Sequence, residues 1–270
     1  MTESSSRQRP PDSRSSGLST APVPRDVHAS PRVLGVDSAG PLGWVGVVID
    51  DDGFVDASCG SLAELIERAE PVSVIGVDIP IGLVPGGRRL ADIEARAFLK
   101  PNGSSVFAAP PLEVVDIDDY AEANALLEQM GVPKMSRQAW ALLPKIRETA
   151  LVADVDDRVY EVHPETSFRA MAGAPLEYRK KSWNGLHERR RLLAAEGIDV
   201  PESIDDAGAV PADDLLDAAA AAWSARRILR RRERELGGER DGADAVGIDV
   251  AVSLPSPPEE FGGRPIAIWY

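Results

Sequence analysis

Three aspartates open an alanine-rich segment, PADDLLDAAAAAW, at residues 211–223. Asp213 suits a helix N-terminus, because an aspartate there accepts backbone N–H bonds and complements the helix dipole. Asp214 and Asp217 are three residues apart and share one helix face, where two carboxylates repel each other unless a cation or solvent relieves them. Two interpretations therefore stay open. Either Asp213 caps a helix whose acidic face is solvated, or that face binds a metal ion.

Two more aspartates follow apolar runs that are typical of buried strands. Asp37 ends the run VLGVD, and Asp78 ends VSVIGVD, a Val/Ile run of the kind found in parallel sheets. The carboxyl ends of parallel strands meet at one edge of a sheet, where ligands gather. We therefore expect Asp37 and Asp78 at one edge, with Asp214 and Asp217 as further candidates for the same site.

Four carboxylates gathered at one place cannot all ionise near neutral pH without a compensating cation, so either some of them are protonated or a divalent ion lies among them. Hard oxygen ligands favour Mg²⁺ or Mn²⁺. Two such ions about 4 Å apart activate a water and stabilise the leaving oxygen in phosphodiester hydrolysis. The acids therefore favour metal-dependent hydrolysis of phosphodiesters.

The stretch EVHPE, residues 161–165, adds further ionisable groups near the end of a short strand. Alternation along the strand places Glu161 and His163 on one face. Glu161, or Glu165 beyond Pro164, is then a candidate acid beside the metal ligands, and His163 a candidate general base or proton shuttle. The alternative is a hydrogen-bonded structural histidine at a turn.

Lysine is rare in this chain, and three of its five lysines fall in two short stretches. Lys145 lies in ALLPKIRE, and Lys180 and Lys181 lie in RKKSWNG. Basic groups beside a metal site suit contacts with phosphate, and Lys145 is a candidate for charge stabilisation or proton transfer. Ordinary surface charge is the alternative for all three.

The elements that must position these groups follow from hydrophobic periodicity and turn signals. Residues 31–60 predict a three-strand meander with a hairpin at DDDG. The remaining pattern predicts helices at 61–70, 88–100, 118–131, 136–155, 185–197 and 213–236, and strands at 71–83, near 158–163 and at 263–270. The predicted fold is α/β, with a mixed five-stranded sheet in which an antiparallel meander adjoins parallel strands, and a helical insertion at about 88–155.

Composition limits the classes of function. A net charge of −14 argues against a broad basic surface for nucleic acid. The single cysteine, Cys59, excludes an internal disulfide and a multi-cysteine zinc site. Residues 1–30 are rich in Ser, Pro and Arg and predict a disordered tail without a signal-peptide core. With no apolar run of membrane-spanning length, we expect a soluble cytoplasmic protein with one domain at 31–270.

Seven stretches together resemble the DUF429 family, described as predicted nucleases with a ribonuclease H fold. They are GVDSAGPLGWV, DIPIGL, GRRLADIEARAFL, SSVFAAPP, SRQAWALLPKIRE, VYEVHPETSFRAM and DDLLDAAAAAWSARR, within residues 33–270. The resemblance implies a ribonuclease H-like sheet with metal ligands Asp37 on the first strand, Asp78 on the fourth, and Asp217 with Asp214 on a late helix. The chain departs from junction resolvases of that fold in lacking their basic face.

The sequence therefore predicts a nuclease or phosphodiesterase that depends on Mg²⁺ or Mn²⁺. Its predicted catalytic residues are Asp37, Asp78, Asp214, Asp217, His163, Glu161 and Lys145. One alternative is an enzyme of the wider actin-like superfamily that handles nucleotides or phosphate esters, and another is a catalytically silent metal-binding module. Nucleic acid or a small phosphate ester is the expected partner, and the sequence leaves the substrate and the oligomeric state open.

Overall fold

The computed structural model of the chain describes residue 1 and residues 30–86, 88–237 and 250–270. The predicted disordered tail, residues 1–30, lies outside the described residues except at its two ends. Among the described helices, none combines the length and the apolar composition needed to cross a membrane.

A five-stranded mixed sheet forms the centre of the structure. Its strands are β1 (Val33–Ser38), β2 (Trp44–Asp50), β3 (Gly53–Gly60), β4 (Val74–Val77) and β5 (Val159–Glu161). They lie in the order β3-β2-β1-β4-β5. The β1–β2 and β2–β3 pairs are antiparallel, and the β1–β4 and β4–β5 pairs are parallel. The predicted mixed sheet, a meander beside parallel strands, is confirmed.

Eight α-helices surround this sheet within the described residues. They are α1 (Leu62–Ala69), α2 (Leu90–Phe98), α3 (Tyr120–Gln129), α4 (Arg137–Ala141), α5 (Leu143–Ala153), α6 (Pro164–Ala172), α7 (Trp183–Ala195) and α8 (Ala212–Leu236). Local signals set several of these bounds. Ser61 and Glu64 form a reciprocal capping box at the start of α1, and Ser182 caps α7. The helices α2 to α5 occupy the predicted insertion.

Two elements differ from the sequence prediction. Residues 164–172 form helix α6, which begins with Pro164 and ends at Gly173 in the left-handed conformation. The strand at the C-terminus, β7 (Arg264–Trp269), meets the edge of the main sheet only through an isolated parallel bridge between Trp269 and Val162, directly after β5, among the described residues. It pairs with an unpredicted strand, β6 (Ser253–Phe261), in a separate two-stranded sheet. The three prolines of β6 argued against a strand in the sequence, because proline is depleted in strands.

The alanine run of α8 packs directly on the sheet. Gly35 of β1 and Gly76 of β4 are register partners. A Cβ atom on Gly35 would lie 2.0 Å from the Ala222 nitrogen and 2.2 Å from the Ala218 carbonyl oxygen, and one on Gly76 would lie 2.8 Å from the Ala221 oxygen. The helix backbone therefore rests against the two strands with no side chain between them. This close approach brings the first turns of α8 to the carboxyl ends of β1 and β4.

The opposite face of the sheet is covered by α1, α3 and α5. Leu62, Leu65, Leu127, Leu143 and Ile146 are buried there in one cluster with β1 and β4 side chains. Part of the predicted insertion is therefore a structural layer of the core. Asp37 lies two residues beyond Gly35 within β1, so strand alternation directs it toward the α8 face, and Asp78 directly follows β4 at the same edge.

Candidate active site

Three aspartates from distant parts of the chain converge at the carboxyl edge of the parallel strands. Asp37 lies at the end of β1, Asp78 directly follows β4, and Asp217 precedes the alanine that contacts Gly35. Asp37 and Asp217 are only 6% and 1% exposed. Asp78 and Asp217 both act electrostatically on Asp37. The structure thus brings together the three residues that the sequence assigned to three separate elements.

The three carboxyl groups are much weaker acids than ordinary aspartates. Burial, followed by the charges of Asp78 and Asp217, raises the pKa of Asp37 well above its usual value. Burial also raises the pKa of Asp78 and of Asp217 to about 7, although Lys180 opposes the rise in both. Buried carboxylates behave in this way where their negative charge is incompletely compensated. A further positive charge near the cluster would therefore lower these pKa values and stabilise the ionised carboxylates.

Lys180 supplies one positive charge to the cluster. Its Nζ donates a hydrogen bond to Oδ2 of Asp217 at 2.6 Å and lies 3.8 Å from Oδ2 of Asp213. Burial lowers the pKa of Lys180, but the negative charges of Asp217, Asp37 and Asp78 raise it by a larger amount. The net shift is upward, so the ammonium form is favoured. The other oxygen of Asp217, Oδ1, is buried without a hydrogen-bond partner among the described residues.

His163 and Glu165 border the acids at the start of α6. Burial lowers the pKa of His163, against opposing effects of Glu165 and Asp217, so its ring is neutral near pH 7. Its Nδ1 is buried and lacks a hydrogen-bond partner within the described ranges. Glu165 accepts hydrogen bonds from Arg189 of α7 at 2.7 and 2.9 Å. A neutral histidine with a free ring nitrogen can accept a proton.

A polar cleft of about 620 Å³ opens beside these groups. Asp78, His163, Lys180 and Asp217 all contribute to its wall. The rest of its lining is also largely polar, with Asn102, Ser104, Ser105, Gln138, Pro164, Glu165, Leu176, Glu177, Tyr178, Arg179 and Arg189. A charged ligand of small-molecule size would fit this cleft.

A family model described as "Protein of unknown function (DUF429)" matches residues 35–240. The chain belongs to the DUF429 family. This match confirms the resemblance seen in the sequence motifs. Comparison with curated proteins and with solved structures gave no match.

In this DUF429 chain, Asp213 does not cap α8, and that prediction is wrong. The N-cap residue is Pro211, which makes no side-chain capping bond. Asp213 lies two residues later, and its carboxylate faces Lys180 and Lys181. Asp214 is half-buried, and burial followed by the charge of Asp213 raises its pKa. Asp214 therefore lies at the border of the cluster, close to its predicted place.

Lys145 approaches the cluster from α5 of the DUF429 fold. Its ammonium donates a hydrogen bond to the Gly43 carbonyl and lies 4.0 Å from the centre of the Trp44 ring. Burial lowers its pKa, while Glu148, Asp37 and Asp214 oppose that shift. The structure therefore places Lys145 within electrostatic reach of the acids, on the side of Asp37 and Asp214.

Glu161 is not brought to the acid cluster. Both of its oxygens accept hydrogen bonds from Arg89, at 2.7 and 2.8 Å, and the Ile81 N–H donates to it at 2.6 Å. Arg89 also pairs with Asp92, whose second oxygen binds the Ala109 N–H. Strand β5 ends at Glu161, so the alternation that linked it to His163 stops there. In the DUF429 structure Glu161 belongs to a buried network that ties α2 to the sheet.

The donor set of the cluster suits a hard divalent cation, yet a metal cage is not preformed. Within the described ranges, no three His, Cys, Asp or Glu side chains are arranged to hold a metal ion as they stand. The oxygen-rich chemistry and the unpartnered Oδ1 of Asp217 fit Mg²⁺ or Mn²⁺. Lys180 engages the other Asp217 oxygen. The sequence singled out the acids and the RKKS stretch, but not the contact between them.

Proposed function

We propose that this chain is a divalent-metal-dependent phosphodiesterase of the nuclease type, built on a ribonuclease H-like fold. The observation that carries the proposal is the convergence of Asp37, Asp78 and Asp217, of which Asp37 and Asp217 are buried and Asp217 accepts a hydrogen bond from the Lys180 ammonium. The sheet order supports the fold assignment, because a meander precedes two parallel strands, Asp37 lies at the end of β1 and Asp78 follows β4.

Asp37, Asp78 and Asp217 would hold Mg²⁺ or Mn²⁺, with Asp214 assisting from the border of the cluster. The bound ion would supply a Lewis acid for the phosphoryl oxygen and lower the pKa of a coordinated water. Close packing of the α8 backbone on Gly35 and Gly76 holds the helix that carries Asp217 against the strands that precede or carry the other two acids.

The protein's own groups account for proton and charge handling. Burial lowers the pKa of His163, and its buried Nδ1 has no hydrogen-bond partner among the described residues, so His163 would accept a proton from an attacking water that reaches this nitrogen. Lys145 adds positive charge on the Asp37 side, where it would offset the negative charge of a phosphate. Arg179 lies on the cleft wall, where its guanidinium would be available to a phosphate group.

The test combines metal binding with a cleavage assay on the same samples. Mn²⁺ and Mg²⁺ binding is measured by calorimetry on the wild type, Asp78→Asn and Asp217→Asn, followed by incubation with labelled DNA and RNA. Loss of a direct ligand should weaken binding by at least about tenfold and abolish cleavage. Asp157→Asn is the matched control, because that carboxylate is 90% exposed and lies outside the cluster. Metal-independent cleavage, or cleavage that survives Asp78→Asn, would overturn the proposal.

A small phosphate ester is a second candidate substrate. The 620 Å³ cleft has the volume of a small-ligand site, and the net charge of −14 disfavours a long polyanion. The assay panel should therefore include nucleoside monophosphates, nucleoside diphosphates and bis(p-nitrophenyl) phosphate. Turnover of these alone would favour the second candidate. Metal-dependent thermal stabilisation without any turnover would indicate a silent metal-binding module instead.

A further inference from the structure

Lys180 reaches the acid cluster from the surface. It lies in the segment that joins α6 to α7, and its side chain is 36% exposed, whereas that of its partner Asp217 is 2% exposed. The Lys180 side chain therefore runs from a partly exposed position to a buried carboxylate. Its Nζ contacts Oδ2 of Asp217 at 2.6 Å, a charge-assisted hydrogen bond to one of the least accessible carboxylates.

The contact occupies one of the two Asp217 oxygens, directly beside the oxygen that a metal ion would bind. Oδ2 of Asp217 binds Lys180, and Oδ1 is buried without a partner among the described residues. Mg²⁺ binds carboxylate oxygens at about 2.0–2.1 Å, so an ion on Asp217 would lie within a few ångströms of the Lys180 ammonium. A charge of +2 and a charge of +1 at that separation in a buried site repel each other strongly.

We propose that Lys180 is the resident cation of this site and that Lys180 and a divalent metal ion occupy Asp217 alternately. Metal entry then requires the ammonium to leave Asp217, and the 620 Å³ cleft that Lys180 lines gives it room to do so. This inference rests on the proposed metal-dependent function and adds a regulatory step to it. It also accounts for the absence of a preformed metal cage within the described residues.

Calorimetry with Mn²⁺ alone tests this competition directly. Lys180→Gln removes the competing charge and should tighten Mn²⁺ binding by at least about tenfold. Lys180→Arg keeps the charge and should stay close to the wild type. Lys181→Gln is the matched neighbour control, because Lys181 is 78% exposed and lies 3.7 Å from Asp213, so its loss should change the affinity by less than about twofold.

A second measurement on the wild type does not depend on the folding of any variant. Brief acetylation with acetic anhydride, followed by peptide mass spectrometry, compares Lys180 and Lys181 with and without Mn²⁺. A paired ammonium is a poor nucleophile, so its release from Asp217 should raise Lys180 labelling by at least about threefold while Lys181 labelling stays constant.

The outcomes separate this inference from the proposed function. Tighter binding in Lys180→Gln together with metal-induced labelling of Lys180 supports the competition. If the wild type binds Mn²⁺ and Lys180→Gln binds it equally or more weakly, the competition alone is overturned. Unchanged Lys180 labelling at saturating Mn²⁺ has the same consequence. Absence of Mn²⁺ binding in the wild type and in both Lys180 variants overturns the metal-dependent function and the competition together.

Discussion

Gly35→Ala should loosen the contact between α8 and the sheet. The new methyl carbon would lie 2.0 Å from the Ala222 nitrogen and 2.2 Å from the Ala218 oxygen, and both are backbone atoms that cannot rotate away. Overpacking of a core costs about 1–3 kcal/mol, and this site belongs at the upper end because the helix itself must shift. Replacing glycine in a strand returns about 0.5–1 kcal/mol of chain entropy. The expected net loss is about 2 kcal/mol of unfolding free energy.

Urea unfolding of Gly35→Ala beside Gly46→Ala measures this effect. Gly46 is on the neighbouring strand, and its added carbon would contact only side-chain carbons, 3.1 Å from Leu34 Cδ1 and 3.3 Å from Leu65 Cδ1. Because side-chain ends can move, Gly46→Ala should lose less than about 1 kcal/mol. Equal unfolding free energies for the two variants would refute the close-packing argument. Movement of α8 should also weaken Mn²⁺ binding in Gly35→Ala, since Asp217 lies on that helix.

Three further predictions concern pH, the buried network and a helix cap. Burial and neighbouring carboxylates raise the pKa of Asp78 and Asp217 from 3.8 to about 7. Between pH 3.8 and about 7 the folded chain therefore binds more protons than the unfolded chain. The contribution of these two groups to the unfolding free energy falls as the pH rises through this range. In metal-free urea unfolding, the unfolding free energy should fall more from about pH 5 to about pH 8 in the wild type than in Asp217→Asn. An equal fall in both proteins would contradict this. Arg89→Met leaves the buried carboxylates of Glu161 and Asp92 without their guanidinium partner and should lower the unfolding free energy by about 3–5 kcal/mol in the same assay. A decrease below about 1 kcal/mol would show that stability does not depend on this network. Ser61→Ala removes the α1 capping box and should lower the unfolding free energy by about 1 kcal/mol, which an unchanged urea midpoint would disprove.

Elements with strong local signals could be predicted from the sequence. The DDDG turn and its flanking apolar runs gave β2 and β3, and the Ser-x-x-Glu pattern at residue 61 gave α1. Helix α6 also carried local signals, namely a proline at its first position, an acid in the first turn and a glycine after its end. The preceding strand pattern masked them. Strand β6 had no such signal, because its prolines contradict strand propensity and only pairing with β7 stabilises it.

The positions of the acids were predictable for a different reason. Asp37 and Asp78 end apolar runs of a parallel sheet, and parallel strands bring their carboxyl ends to one edge. The partners of the acids were not predictable, since they lie far apart in the chain. Lys180 and Asp217 are separated by 37 residues, and Arg89 and Glu161 by 72. Strand alternation suggested that Glu161 and His163 share a face, but the strand ends between them.

The sequence by itself determined the mixed α/β sheet, the family and the aspartates at the strand ends, because these depend on periodicity and on short motifs. Only the tertiary structure decided which charges meet. Close packing of α8 on Gly35 and Gly76 places Asp217 beside β1 and β4, Lys180 pairs with it, and Arg89 holds Glu161 in a separate network. Such pairings depend on the distance and burial of groups from remote segments, which local sequence does not encode.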